Sequence, residues 1–120
     1  MVEPDSEALR GLIVEDEYTI AADLACALEE RGADVIGPAA SIEDALELVG
    51  AQQQIDGAVL DINLRGERAY PVADALRARG VPFIFATGYD TWAIPAAYAD
   101  VPRIEKPVSM RELARLLPEA

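Results

Sequence analysis

A chain of 120 residues, 52% of them hydrophobic, is one domain with a single core. Its 22 acids against 10 bases leave a formal charge of minus 12, which disfavours nucleic acid and anionic membranes and favours basic or neutral protein surfaces as partners. The lone Cys26 excludes an internal disulfide or a multi-cysteine zinc site and reads as small core packing. With no histidine, imidazole triads, imidazole metal sites and a phosphohistidine within this chain are excluded as well. Any chemistry must run on carboxylates, hydroxyls, lysine and backbone.

Residues 1–8 read as a flexible N-terminal segment, and 9–120 as one domain without an output domain. The acidic start MVEPDSEALR lacks the basic and apolar regions of a signal peptide, and no run reaches membrane-span length, so a cytoplasmic protein is expected. Leu9 to Val14 is an apolar run that stops at Glu15, Asp16 and Glu17, a strand with an acidic exit. From Tyr18 to Arg31, Ile20, Leu24 and Leu28 recur every four residues, which predicts an amphipathic helix closed by Gly32. Val35 and Ile36 make a short strand that Gly37 and Pro38 are expected to terminate. Ser41 and Asp44 resemble a capping box for a helix that buries Ala45, Leu46, Leu48 and Val49 and ends at Gly50.

After the polar AQQQ linker, Ile55 to Leu60 is a third strand, apolar until it meets the carboxylate of Asp61. INLRGERAY is expected as a loop bending at Gly66, with Pro71 in the first turn of a helix over Val72 to Arg79 that Gly80 stops. Val81 to Ala86 is the fourth strand, ending at Thr87-Gly88. Thr91 to Tyr98 is a weak helix at best because Pro95 lacks an amide donor, and Trp92, Ile94 and Tyr98 read as partial core. Arg103 to Glu105 is a fifth strand before Lys106-Pro107, and Ser109 with Glu112 starts a last helix carrying Met110, Leu113, Leu116 and Leu117 inward. Five strands alternating with five helices predict an α/β fold, a flavodoxin-like doubly wound parallel sheet in the order 2-1-3-4-5.

Glu15 and Asp16 then follow the first strand, Asp61 the third, Thr87 the fourth and Lys106 the fifth, all at one edge of the sheet. Two unit charges about 4 Å apart repel by roughly 4 kcal/mol at an effective dielectric near 20, so three converging carboxylates call for a cation. An all-oxygen site suits Mg²⁺, with Lys106 and Thr87 placed to hold the oxygens of a phosphoryl group and Asp61 to act as nucleophile.

The segments VEDE, LDINL, ATG and EKPV, in this order at the ends of these strands, resemble a bacterial response-regulator receiver domain over nearly the whole chain. The resemblance implies Asp61 as phosphoacceptor, Mg²⁺ held by Glu15, Asp16, Asp61 and the backbone carbonyl of Asn63, and phosphoryl contacts from Thr87 and Lys106. It also implies a cis Lys106-Pro107 bond, and a kinase-facing patch around Tyr18, Ala22, Pro107 and Val108. FATGYD, DINLRGE and AYPVADALRARGVPF are further similar to the single-domain FATGUY receivers of alphaproteobacteria, which occur with sensor histidine kinases. Such receivers usually carry a switch Tyr or Phe three residues before the lysine. Arg103 stands there in this chain, so the readout is expected instead in the irregular stretch 89–100 beside Thr87.

The expected partner is a sensor histidine kinase or a histidine phosphotransfer protein, the expected output is protein binding or draining of phosphate, and a homodimer stays open. A phosphorylation-independent interaction module with a vestigial acidic site is the alternative. A flavodoxin lacks support because no phosphate loop follows the first strand, and an aspartate-nucleophile phosphatase because the Asp-x-Asp spacing is missing.

Overall fold

The computed structural model describes residues 9–88 and 94–106. Its elements are β1 (Arg10–Val14), α1 (Tyr18–Glu30), β2 (Asp34–Ala39), α2 (Ile42–Ala51), β3 (Gly57–Asp61), β4 (Asn63–Leu64), β5 (Glu67–Arg68), α3 (Tyr70–Ala78), β6 (Phe83–Thr87), a 3₁₀ turn (Ala96–Tyr98) and β7 (Arg103–Glu105). Five strands form one sheet in the order β2-β1-β3-β6-β7. Every pairing in it is parallel. This is the flavodoxin-like order expected of the apolar runs, with β4 and β5 added as a separate antiparallel pair.

Strand alternation divides the core between the two faces. Leu12, Val14, Ala58, Leu60, Phe83 and Phe85 pack in one cluster with Ala45 and Val49 of α2 and Val72, Ala73 and Leu76 of α3. Ile13, Val59, Ile84, Ala86 and Ile104 pack in the other with Ala21, Leu24, Ala27 and Leu28 of α1. All five residues of β3 and of β6 are buried, which accounts for their uninterrupted apolar runs. Among the described residues no helix is long and apolar enough to cross a membrane.

Local chemistry sets the helix ends. Ser41 Oγ accepts from the Asp44 amide at 3.1 Å, and Pro71 sits in the first turn of α3, both as expected. Arg79 adds a cap that its residue type does not announce, its guanidinium donating to the carbonyls of Gln52 and Gln53 at 2.9 and 3.0 Å and to that of Val49.

Several expectations need correction. Gly37 and Pro38 do not end β2, which runs through to Ala39. Gly37 has φ of +93°, and a Cβ there would come within 2.9 Å of the Ala39 amide nitrogen, so only glycine takes the irregular step. Pro38 is tolerated because β2 is an edge strand. Cys26 is exposed rather than in the core, because the buried stripe of α1 runs through Leu24, Ala27 and Leu28 and leaves Cys26 on the other side. Leu46 is also exposed, beside the inward pair Ala45 and Val49.

The stretch INLRGERAY contains a hairpin rather than a plain loop, pairing Asn63 with Arg68 and Leu64 with Glu67. A 3₁₀ turn replaces the weak helix as far as the chain is described. Tyr98 is buried there, stacked on Tyr70 at 4.7 Å between ring centroids, and its hydroxyl donates to Asp74 at 2.6 Å. Arg77 lies over the same ring and pairs with Asp100 at 2.8 Å, which ties this turn to α3. Trp92, the Lys106-Pro107 bond, the Pro107-Val108 patch and the last helix lie outside the described residues, as do residues 89–93 of the stretch expected to carry the readout.

Candidate functional site

The register of the central strands brings the acids together. Val14 pairs with Leu60 and Asp61 with Ala86, so the residues that leave β1, β3 and β6 emerge side by side at the carboxyl edge, where α/β sheets hold ligands. Glu15, Asp16 and Asp61 each offer a carboxylate oxygen within 4.8 Å of the others, a set able to hold a metal ion. Glu15 and Asp61 are only 2% and 6% exposed, an unusual place for two acids, so compensating partners are required.

Lys106 supplies the main compensation. Its Nζ lies 2.9 Å from Asp61 Oδ2 and 3.0 Å from Glu15 Oε1, with a longer, solvent-exposed contact of 3.4 Å to Glu17. The Lys106 backbone amide donates to the Thr87 carbonyl at 2.8 Å, which fixes the lysine at the end of β7 relative to β6. Burial alone would lower the Lys106 pKa, but its hydrogen bonds to Asp61 and Glu15 raise it above the ordinary lysine value. Glu15 departs from a normal carboxylate. Burial, then the charge of Asp61, push it up to about 7 in spite of Lys106.

A backbone amide also holds one oxygen of each acid. Asp61 Oδ1 accepts from Asn63 N–H at 3.1 Å, Glu15 Oε2 from Glu17 N–H at 3.1 Å, and Asp16 Oδ2 from Arg65 N–H at 3.0 Å. Among the described residues two buried oxygens accept no hydrogen bond, Glu15 Oε1, which has its ion pair with Lys106, and Thr87 Oγ1, which has no ion pair either. Asp16, Asp61, Asn63, Arg68, Thr87 and Lys106 all line one open cleft of about 850 Å³, ample for a phosphoryl group, a hydrated ion and an incoming side chain.

Every candidate that the sequence offers, Glu15, Asp16, Asp61, Asn63, Thr87 and Lys106, thus borders or lines the same space. Tyr18 and Ala22 are exposed on α1 as expected, and Arg103 is an exposed residue of β7 rather than a buried aromatic. Two contributors go unseen in the sequence: the Arg65 amide on Asp16 and Arg68 in the lining of the cleft. The signal is a two-residue Arg-Gly turn between short polar-apolar alternations, which is weak without glycine or asparagine at both positions.

Known proteins agree with this geometry. The sensory transduction protein LytT of Bacillus subtilis is 35% identical over 95 residues, which span 77% of this chain but 39% of that protein. The solution structure of SdrG from Sphingomonas melonis Fr1 is similar with a TM-score of 0.81 and 38% identity, covering 96% of this chain and 95% of that one. The BeF₃-activated conformation of SdrG from Pseudomonas melonis Fr1 gives a TM-score of 0.75 and 40% identity over 91% of this chain and 93% of that one. Residues 12–117 match the response regulator receiver domain, and the chain, CheY-like in fold, belongs to that family of two-component signalling proteins.

Proposed function

We propose that this receiver takes a phosphoryl group onto Asp61 from the phosphohistidine of a sensor histidine kinase or a histidine phosphotransfer protein. The observation that carries the reading is the convergence of Glu15, Asp16 and Asp61, two of them paired with the half-buried Lys106, beside a buried threonine hydroxyl that has no partner among the described residues. Glu15, Asp16 and Asp61, with Glu17 and Glu105 also at the cleft, outnumber Lys106 and Arg68 there, and an excess of hard, negatively charged oxygen donors fits Mg²⁺. Glu15, Asp16, Asp61 and the Asn63 carbonyl would hold it. When bound, the ion supplies charge neutralisation between carboxylate and phosphoryl oxygens.

The chain's own residues do the rest. Asn63 N–H and Lys106 orient the Asp61 carboxylate so that one oxygen attacks phosphorus. The phosphorus–nitrogen bond of the donor breaks as the aspartyl phosphate forms, and its electron pair stays on the imidazole. Lys106, released from part of its ion pairing, follows the charge onto a phosphoryl oxygen, and the Thr87 hydroxyl gains the partner it lacks in the free protein. Water attack on the same phosphorus later returns the carboxylate and inorganic phosphate. The activity is thus a slow self-limited transfer and hydrolysis rather than turnover of a free substrate.

The motif FATGYD supports placement in the FATGUY subgroup of single-domain receivers. Output would come through protein binding or by draining phosphate from a kinase. Incubation with Mg²⁺ and a small phosphodonor, read by intact mass, tests the reading. The wild-type protein should gain one base-labile phosphoryl group and Asp61→Asn none. No gain would favour an interaction module with a vestigial site, and equal gain by the variant would assign the phosphoryl group to a residue other than Asp61.

A further inference from the structure

The β4-β5 hairpin touches the acidic cluster through its backbone. Asn63 at its start donates to Asp61 Oδ1, and Arg65 at its tip donates to Asp16 Oδ2 across a sequence separation of 49 residues. Leu64 pairs with Glu67 around the turn, and the Ala69 amide closes the base on the Ile62 carbonyl at 2.8 Å. The two central residues, Arg65 and Gly66, both have positive φ, +51° and +85°. A two-residue turn of this kind matches the twist of antiparallel strands. Glycine is at home there. Arginine is not, and Arg65 is the one non-glycine residue with positive φ among those described.

That unfavourable backbone aims an amide. A wider loop would also join Leu64 to Glu67, but the tight left-handed turn points the Arg65 N–H at the carboxylate of Asp16, the least buried of the three clustered acids. Glu15 and Asp61 are held from within by Lys106, whose ion pairs do not include Asp16. A carboxylate that spends one oxygen on a fixed amide keeps the other for a cation and loses little rotational freedom when the cation arrives. Donors behind metal-bound carboxylates typically change metal affinity by about 10- to 100-fold when removed.

We infer that Arg65 is a positioning residue for the divalent ion, acting through its backbone amide rather than its guanidinium, and that the hairpin is the cation-side wall of the site. The inference rests on the reading of Glu15, Asp16 and Asp61 as ligands of Mg²⁺. It makes the turn geometry, not the charge at position 65, a determinant of metal affinity.

The test compares variants of equal charge. Arg65→Gly keeps the amide and favours positive φ, whereas Arg65→Pro removes the amide and forbids that φ. Mg²⁺ titrations followed by calorimetry or amide shifts should show a Kd about tenfold or more weaker for Arg65→Pro than for Arg65→Gly. Melting temperatures in chelator report whether the hairpin matters only to the fold. A lowered melting temperature with equal Kd values overturns the inference. Should the L-proline chain fail to fold, a semisynthetic chain with D-proline in place of Arg65 keeps the left-handed turn and lacks only the amide. The same tenfold loss supports the inference, and affinity equal to that of Arg65→Gly overturns it. Absence of Mg²⁺ binding by the wild-type protein is a separate outcome that overturns the ligand assignment itself.

Discussion

The two walls of the cleft are prepared in opposite ways. On the cation side every acid already has a partner: Lys106 for Glu15 and Asp61, the Asn63 amide for Asp61, and the Arg65 amide for Asp16. On the hydroxyl side Thr87 is as buried as Glu15, and its Oγ1 has neither a hydrogen bond nor an ion pair among the described residues. A buried unpartnered hydroxyl is disfavoured by about 1–3 kcal/mol, whereas a set of wired carboxylates resists change. The cation wall is therefore a fixed frame, and the hydroxyl wall is the side with something to gain when a phosphoryl oxygen enters. On the proposed function, the group that gains a partner is then the Thr87 hydroxyl at the end of β6.

The largest break in this contrast comes from removing the lysine that serves the frame. Lys106→Met leaves Glu15 and Asp61 buried without a counter-charge, so the metal-free protein should lose about 3–5 kcal/mol in urea unfolding. Millimolar Mg²⁺ should restore much of that loss. It should also stabilise the variant more than the wild type, because it replaces a charge that the wild type already has. Equal stabilisation of both by Mg²⁺ would mean that the ion binds elsewhere.

A smaller effect of opposite sign is expected on the hydroxyl wall. Thr87→Val keeps the shape and removes the orphan oxygen, so stability should be unchanged or rise by about 1 kcal/mol. Phosphorylation should still add mass to Asp61, while the accompanying amide shift changes at Ala86, Thr87 and Gly88 shrink. A loss of stability comparable to a core cavity would show that Thr87 has a partner in the free protein.

The cation side also carries a pH dependence. Glu15 holds its proton more tightly when folded, at about 7 against 4.5 in the unfolded chain. The folded state therefore binds more protons between these values. Stability from this group is complete below the lower value and is lost as pH rises through the upper one. Unfolding midpoints of the metal-free protein should fall between about pH 5 and about pH 8, and Glu15→Gln should flatten that part of the fall. An identical profile for the variant would assign the dependence to the general negative charge of the chain.

Much of this architecture is legible in the amino-acid sequence alone. Runs such as AVLD and FIFAT carry no alternation because both sheet faces are covered, and each ends where a polar residue meets the open edge. Side chains that announce themselves by chemistry, such as Asp61 and Lys106, can be placed by counting strands. Features that depend on backbone direction cannot. Gly37-Pro38 looks like a terminator until the strand is known to be an edge, and Cys26 looks internal until the buried stripe of α1 has a fixed phase. The Arg65 amide has no residue-type signature, since almost any residue carries the same donor, and its acceptor lies in another strand's exit loop.

The central claim is that Asp61, one of three carboxylates gathered for the ion, is the one that attacks phosphorus, and the site of modification tests it most directly. Borohydride reduces an acyl phosphate to the alcohol, turning the modified aspartate into homoserine, which peptide mass spectrometry can place. Phosphorylation in Mg²⁺ followed by this reduction should convert Asp61 alone, and chelation before phosphorylation should prevent the conversion. Reduction at Asp16 or Glu15, or at Asp61 to the same extent without a divalent ion, would contradict the account.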